Sequence, residues 1–157
     1  MPLRYQRHTA RGIVVHDNKL LLMERWRLYE QQKLHYFSIP GGGIEPGETP
    51  EQTVVREIEE ETMIAVRVRH RVLEMHDGDS VHAIYLCEYI SGEPALAPHA
   101  PEAIHGDDNR FKPGWVPVAK LSDIPLTYWE PLRSPLIEGL KNGFARQPVI
   151  VNAGVSG

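Results

Sequence analysis

Apolar positions fall into short blocks along the chain, separated by turn-forming residues, and most of the blocks read as strands. Residues 9–16 carry Ile13, Val14 and Val15 and stop at Asp17 and Asn18. Residues 19–26 resume the apolar run, so the two blocks predict a hairpin of buried strands. Residues 28–34 are polar and predict a loop. Residues 35–39 predict a short aromatic strand that ends at Pro40 and three glycines. Residues 64–69 alternate apolar with basic side chains, the pattern of a strand with one wet face. Asp77, Gly78 and Asp79 mark a turn. Residues 81–90 predict a second long strand, and Cys87 inside it reads as a small core residue.

Beyond that point the pattern weakens. Residues 94–113 are rich in Pro, Gly, Asp and His and predict a long loop. Residues 114–118 predict a short edge strand, because Pro117 cannot donate to a ladder. Ser134 and Pro135, followed by Leu136, Ile137 and Leu140, predict a capped short helix ending near Gly143. The stretch from residue 147 onward shows little periodicity beyond Val149, Ile150 and Val151, and is expected to be loosely ordered. Strands around helices in this order suit one α/β layered domain over residues 1–157.

One helix is marked far more sharply than the rest. Thr49 fits an N-cap, Pro50 fits the first helical position, and Gln52 completes a capping box with Thr49. Val54, Val55 and Ile58 can face a core.

Composition narrows the class. The chain has 157 residues, 41% of them hydrophobic and 24% charged, as in an ordinary soluble globular domain. That length allows a real core without disulfide staples. The net charge of −4 argues against binding to duplex nucleic acid, since no basic excess exists to neutralise phosphates. No apolar run approaches the ~18 residues needed to span a membrane, and the N-terminal residues lack the run of a signal peptide. The single cysteine cannot form an intrachain disulfide and is compatible with a cytoplasmic location. Nothing in the pattern fixes the oligomeric state, and a homodimer is compatible with it.

The charge is not evenly spread. Between Glu45 and Glu61 stand seven glutamates and one arginine, a local charge of −6, which leaves +2 for the rest of the chain. Glu57, Glu60 and Glu61 follow i, i+3, i+4 spacing and share a helical face, where like charges repel. They also lie toward the C-terminal end, against the helix dipole. The bland reading is a solvated acidic face with Arg56 reaching Glu60. The chemical reading is a hard-oxygen site for Mg²⁺ or Mn²⁺, which would remove the repulsion and pair with substrate phosphates. The glycines at 41–43 permit close backbone approach to a ligand. Gly42, Gly47 and Thr49 also have P-loop spacing, but Glu48 stands where that loop needs lysine, so the P-loop reading fails.

The segment 42–64 resembles the signature of the Nudix family, G-x5-E-x7-R-E-U-x-E-E-x-G-U, with U a bulky aliphatic. Gly42, Glu48, Arg56, Glu57, Ile58, Glu60, Glu61 and Ile64 occupy eight of its nine defined positions. Met63 stands where the family has glycine. The resemblance implies an α/β/α sandwich around a mixed sheet. It also implies metal-dependent hydrolysis of a nucleoside diphosphate linked to another group. Glu57 and Glu61 would be the principal ligands of Mg²⁺ or Mn²⁺. Glu60 would be a further ligand or the group that orients water, and the carbonyl of Gly42 could complete the shell. Arg56 and Glu48 would brace the turn from loop to helix. A further carboxylate often comes from outside the box, and Glu102, Asp107 and Asp108 in the long loop are candidates. The glycine that Met63 replaces falls where helices commonly end in a left-handed residue, so Met63 is expected to take that conformation under strain.

Substrate marks are weak. The proline that ADP-ribose-cleaving members often carry beyond the box is absent, as is the tyrosine of dinucleoside polphosphate-cleaving members; His82 stands near that place. The motif of the coenzyme A subgroup is missing too. His76, His82, His99 and His105 have no metal-like spacing and read as surface or loop residues. The loops at 28–34 and 94–113 are expected to frame the pocket. The reading that results is a diphosphatase acting on a small phosphorylated molecule. Its rival is a non-catalytic nucleotide-binding or regulatory module, which loss of Glu57 or Glu61 would have favoured. An isomerase acting on a prenyl diphosphate is disfavoured, since a lone cysteine in a core strand is a poor proton donor.

Overall fold

The computed structural model describes residues 7–95 and 109–154. Eight strands form one mixed sheet: β1 (Thr9–His16), β2 (Lys19–Tyr29), β3 (Gln32–Ser38), β4 (Gly41–Gly43), β5 (Ala65–Asp77), β6 (Ser80–Ser91), β7 (Asn109–Pro117) and β8 (Val149–Asn152). Two helices, α1 (Pro50–Thr62) and α2 (Arg133–Asn142), complete it. The strand order is β3-β2-β1-β6-β5-β8, with β4 paired to β1 and β7 to β2. β1 runs parallel to β6 and β5 parallel to β8, while the other pairs are antiparallel.

Alternation along the strands sends side chains to two separate cores. Ile13, Leu20, Leu22 and Ile84 join Trp129, Leu132 and Leu136 on the face covered by α2 and the 3₁₀ segment Thr127–Leu132. Ala10, Val14, Leu21 and Cys87 join Val54 and Ile58 of α1 on the other face. The result is the α/β/α sandwich that the box implied. Cys87 is buried, and burial pushes its thiol up to about 12.

The first hairpin forms as expected. Asp17 and Asn18 have φ of 53° and 59°, the pair of positive values that suits the right-handed twist of the flanking strands. The two strands stay paired only at Val15 with Leu20 and His16 with Lys19. β1 then turns to β4 and β6, and β2 to β3 and β7.

Four expectations need correction. Residues 28–34 are not a loop: β2 and β3 run to Tyr29 and from Gln32, joined at Glu30 and Gln31 with φ of 49° and 67°. That turn lacks the Asn-Gly or Asp-Gly signal that marks its type. β7 begins at Asn109, not 114, because residues 109–113 pair with β2 from Arg27 to Met23. Among the described residues β7 pairs only with β2, so Pro113 and Pro117 sit on an edge strand. α2 starts at Arg133 with no side-chain cap, continuing from the 3₁₀ segment rather than starting at Ser134. Finally, Val149–Asn152 of the tail form β8, ordered by parallel pairing with Leu73 to His76.

Candidate active site

α1 begins with the capping box read from the sequence. Thr49 Oγ1 accepts from the Gln52 amide at 3.1 Å, and Gln52 Oε1 accepts from the Thr49 amide at 2.9 Å. The helix ends at Met63, with φ 62° and ψ 20°, whose amide donates to the Glu59 carbonyl. These ends fix which residues face the glycine strand β4.

Glu57 and Glu61, one turn apart, both do so. Glu61 is 5% exposed, and its Oε1 accepts the Gly41 amide at 2.8 Å. Glu57 presses against Gly42 so closely that a Cβ there would come within 2.6 Å of its carboxyl carbon. Gly42 is therefore glycine for packing against Glu57. Gly41 has φ 152°, and a Cβ on it would strike the Ala10 carbonyl. Glu60 points elsewhere: its carboxylate lies 3.4 Å from Arg56 Nη1, on the flank.

Arg56 joins the pieces. Its Nε and Nη2 donate to the two oxygens of Glu48 at 2.7 and 3.0 Å. Nη1 donates to Glu57 at 3.0 Å, and Nη2 reaches the Gly43 carbonyl at 3.4 Å. Glu48 also accepts from the Thr53 hydroxyl at 2.6 Å and the Glu45 amide at 3.2 Å. The fork-on-fork pair with Arg56, then the Thr53 bond, hold the Glu48 carboxyl down at about 2. The same pair raises Arg56 above its ordinary value. Together they tie the loop before α1 to the middle of the helix.

Glu57, Glu61 and Gly41 to Gly43 line a cleft of about 190 Å³, with Arg7, Thr9, Arg11, Arg25 and Phe111 as the remaining wall. The cleft thus brings two carboxylates and the side chains of three arginines into one lining, with the Arg11 guanidinium itself turned to Thr9 and the Ile39 carbonyl. The arginines were not singled out from the sequence. Their signal was an arginine inside an apolar strand run, at Arg11 and at Arg25. Arg25 lies over the Phe111 ring, 4.1 Å from its centroid. A larger hollow of about 420 Å³, around Trp26, Leu28, Lys33, Leu34 and Arg110, carries no carboxylate among the described residues. Leu28, Lys33 and Leu34 line that hollow and not the cleft, so among the described residues only Phe111 of the two expected framing loops lines the cleft of the glutamates. Glu102, Asp107, Asp108, His99 and His105 lie outside the described residues.

A hard cation fits the cleft wall. The donors are carboxylate oxygens and the carbonyls of a glycine strand. Among the described residues no three His, Cys, Asp or Glu side chains form a complete cage. Mg²⁺ and Mn²⁺ suit such an arrangement, since they keep waters and take the remaining oxygens from substrate phosphates.

His82 corrects an expectation. It is not a surface residue but fully buried in β6, bonded to Thr9 and Tyr128. His76 is half-buried in β5, its Nε2 3.0 Å from Glu74. No helix is long and apolar enough to cross a membrane among the described residues.

Known proteins carry the same architecture. The chain is 36% identical over 106 residues to an ADP-ribose pyrophosphatase of Methanocaldococcus jannaschii, covering 64% of this chain and 61% of that one. It is 35% identical over 91 residues to an 8-oxo-dGTP diphosphatase of Escherichia coli, covering 54% and 68%. The matched segment thus spans less than two thirds of the archaeal relative. Among solved structures, a MutT NUDIX hydrolase from Burkholderia pseudomallei superposes with a TM-score of 0.59 at 29% identity, over 81% of this chain and 94% of that one. The family model of the NUDIX domain matches residues 6–139. With that match over most of its length, and the box residues gathered at one cleft, the chain belongs to the Nudix family.

Proposed function

We propose that the protein is a metal-dependent diphosphatase, which cleaves the diphosphate linkage of a nucleotide or nucleoside-diphosphate derivative by attack of water at phosphorus. The observation that carries this reading is the pairing of Glu57 and Glu61 on one wall of a cleft whose other walls bear Arg7, Arg11 and Arg25. Two carboxylates would hold Mg²⁺ or Mn²⁺, assisted by the Gly42 carbonyl. Bound there, the cation would neutralise the diphosphate oxygens and make a water more acidic. Arg7 and Arg25 would bind the phosphate oxygens that remain. Glu60, on the flank beside Arg56, would add a ligand or orient water only by turning toward the cleft, and Arg56, fixed by Glu48, keeps Glu57 turned toward it.

No serine, cysteine or histidine of the box offers a nucleophile, which favours water over a covalent intermediate. The two relatives named above act on an ADP-ribose and on a nucleoside triphosphate, so both classes enter the reading. Duplex DNA does not, given the net charge of −4.

The test is a panel of ADP-ribose, 8-oxo-dGTP, the common nucleoside triphosphates and dinucleoside polyphosphates, each with Mg²⁺ or Mn²⁺. Turnover of at least one is expected. Glu61→Gln should keep the fold and lower turnover at least about 100-fold at saturating metal, given the several kcal/mol a cation supplies. Binding without turnover across the panel would favour the regulatory-module reading. Near-normal activity of Glu61→Gln would remove that residue from the mechanism.

A further inference from the structure

Behind the glycine strand lies a buried polar chain that the hydrolytic reading leaves unused. His82 Nδ1 stands 2.7 Å from Thr9 Oγ1, and its Nε2 stands 3.1 Å from the Tyr128 hydroxyl. Tyr128 in turn donates to Asp77 Oδ2 at 2.6 Å. At the other end, Arg11 Nε donates to Thr9 Oγ1 at 3.2 Å and Nη1 to the Ile39 carbonyl at 2.9 Å. The Arg11 guanidinium also lies over the Trp129 ring, 4.3 Å from its centroid. His82 meets the same ring edge-on.

The hydrogens along this chain can be assigned by counting. Tyr128 has one, and gives it to a carboxylate, so His82 Nε2 must be the donor toward Tyr128. A neutral imidazole then presents a bare Nδ1, which accepts from Thr9. Thr9 spends its one hydrogen there and accepts from Arg11. Every bond therefore points the same way, from the guanidinium to the carboxylate. The neutral state is favoured by the surroundings. Burial first, then the Arg11 charge and His8, push the imidazole down to about 4, while Asp77 pulls the other way.

The inner end of the chain meets the cleft. Thr9 pairs with Gly43 and Arg11 with Gly41 across β1 and β4. A Cβ on Gly41 would come within 2.5 Å of Arg11 Cγ, so Arg11 sets where Gly41 lies. The Gly41 amide then aims Glu61.

We propose that His82 is a positioning residue for the site: with Nδ1 as acceptor it fixes the Thr9 hydroxyl and Arg11, and through them the Gly41 amide that aims Glu61. The proposal rests on the hydrolase reading for its catalytic consequence but not for its proton order, and two readouts keep the failures apart. The first is ¹⁵N NMR of the wild-type protein at neutral pH, where His82 should show an unprotonated Nδ1 and a protonated Nε2. The opposite tautomer, or an imidazolium, would overturn the proposal whether or not the protein turns over any substrate.

The second compares the two halves of the chain. Thr9→Val cuts the inner half at nearly constant volume, and Tyr128→Phe cuts the outer half. Thr9→Val should lower kcat and Mn²⁺ affinity by about 10–100-fold, the usual effect of losing a group that orients a ligand, with substrate KM little changed. Tyr128→Phe leaves the Thr9, Arg11 and Gly41 contacts in place and should lower the urea midpoint, with losses in kcat and Mn²⁺ affinity smaller than those of Thr9→Val. Thr9→Ser, which keeps the hydroxyl, should behave as wild type, and it carries the comparison if the valine variant does not fold. Equal losses in Thr9→Val and Tyr128→Phe, matched by equal shifts in urea midpoint, would mean a purely structural network and defeat the proposal. So would a Thr9→Ser variant as impaired as Thr9→Val.

Discussion

Met63 holds φ 62° and ψ 20°, a backbone region in which a Cβ costs about 1–2 kcal/mol. Its side chain is 46% exposed and so recovers little by packing. Here the sequence was legible to the single residue: the one departure from the box stands at the helix end, and the chain keeps the glycine-like geometry because Glu61 two residues earlier is held by Gly41. Met63→Gly should raise the urea midpoint at constant m, by about 1 kcal/mol once glycine's extra freedom in the unfolded chain is offset. Equilibrium urea unfolding of both proteins checks this; a lower midpoint would mean that methionine packing outweighs the strain. His82 is the opposite case. Nothing in its neighbours along the chain marks it as buried, because Thr9, Tyr128 and Trp129 arrive from 46 or more residues away. Its effect on stability has a definite sign. The folded state resists protonation down to about pH 4, while the unfolded imidazole protonates near pH 6.5, so the unfolded state binds more protons between them. Stability is therefore fully present above about 6.5 and falls by up to about 3 kcal/mol as pH drops toward 4. Urea midpoints across that range should show the fall, and His82→Asn should flatten it; an unchanged slope in that variant would assign the fall to other groups.

Among the elements, α1 and its entry were the most legible, since caps and box residues act within a turn or two of one another. The loop ahead of it depends on one carboxylate. Glu48 joins the Glu45 amide, Thr53 and Arg56, so Glu48→Ala leaves several donors unmet. A loss of about 1–3 kcal/mol is expected, and amide exchange should accelerate first in residues 43–49, ahead of the sheet. Unchanged protection there would show that the capping box alone holds the entry. The strands were harder to read. β3 and β2 meet at a turn of Glu30 and Gln31, residues with no special liking for positive φ. β8 exists only through its pairing with β5, some 75 residues away in sequence, and such non-local pairing leaves no local mark. The sheet pattern predicted strand existence better than strand length, because bulges in β5 at Val68/His70 and Arg71/Leu73 interrupt the alternation.

At the scale of the molecule, the mixed sheet places α1 on one face and the buried polar chain of His82 close behind the glycine strand, so Glu57 and Glu61 of α1 share their cleft with residues of four strands, β1, β2, β4 and β7. The helix share and the glycines at 41–43 were visible beforehand, and the rest was not. Glu57 and Glu61 could be named from spacing, whereas Arg7, Arg11, Arg25 and Phe111 complete the cleft through pairing of β1, β2 and β7. The negative charge gathered at α1 meets these arginines across the cleft, a setting suited to a cation and a diphosphate together. The proposed function turns on attack of water at phosphorus in this cleft. Turnover of an accepted substrate in ¹⁸O-enriched water, followed by mass spectrometry of the products, shows where the oxygen enters. The label is expected on the phosphate of one product; label on a sugar carbon would mean attack at carbon and overturn the proposed reaction.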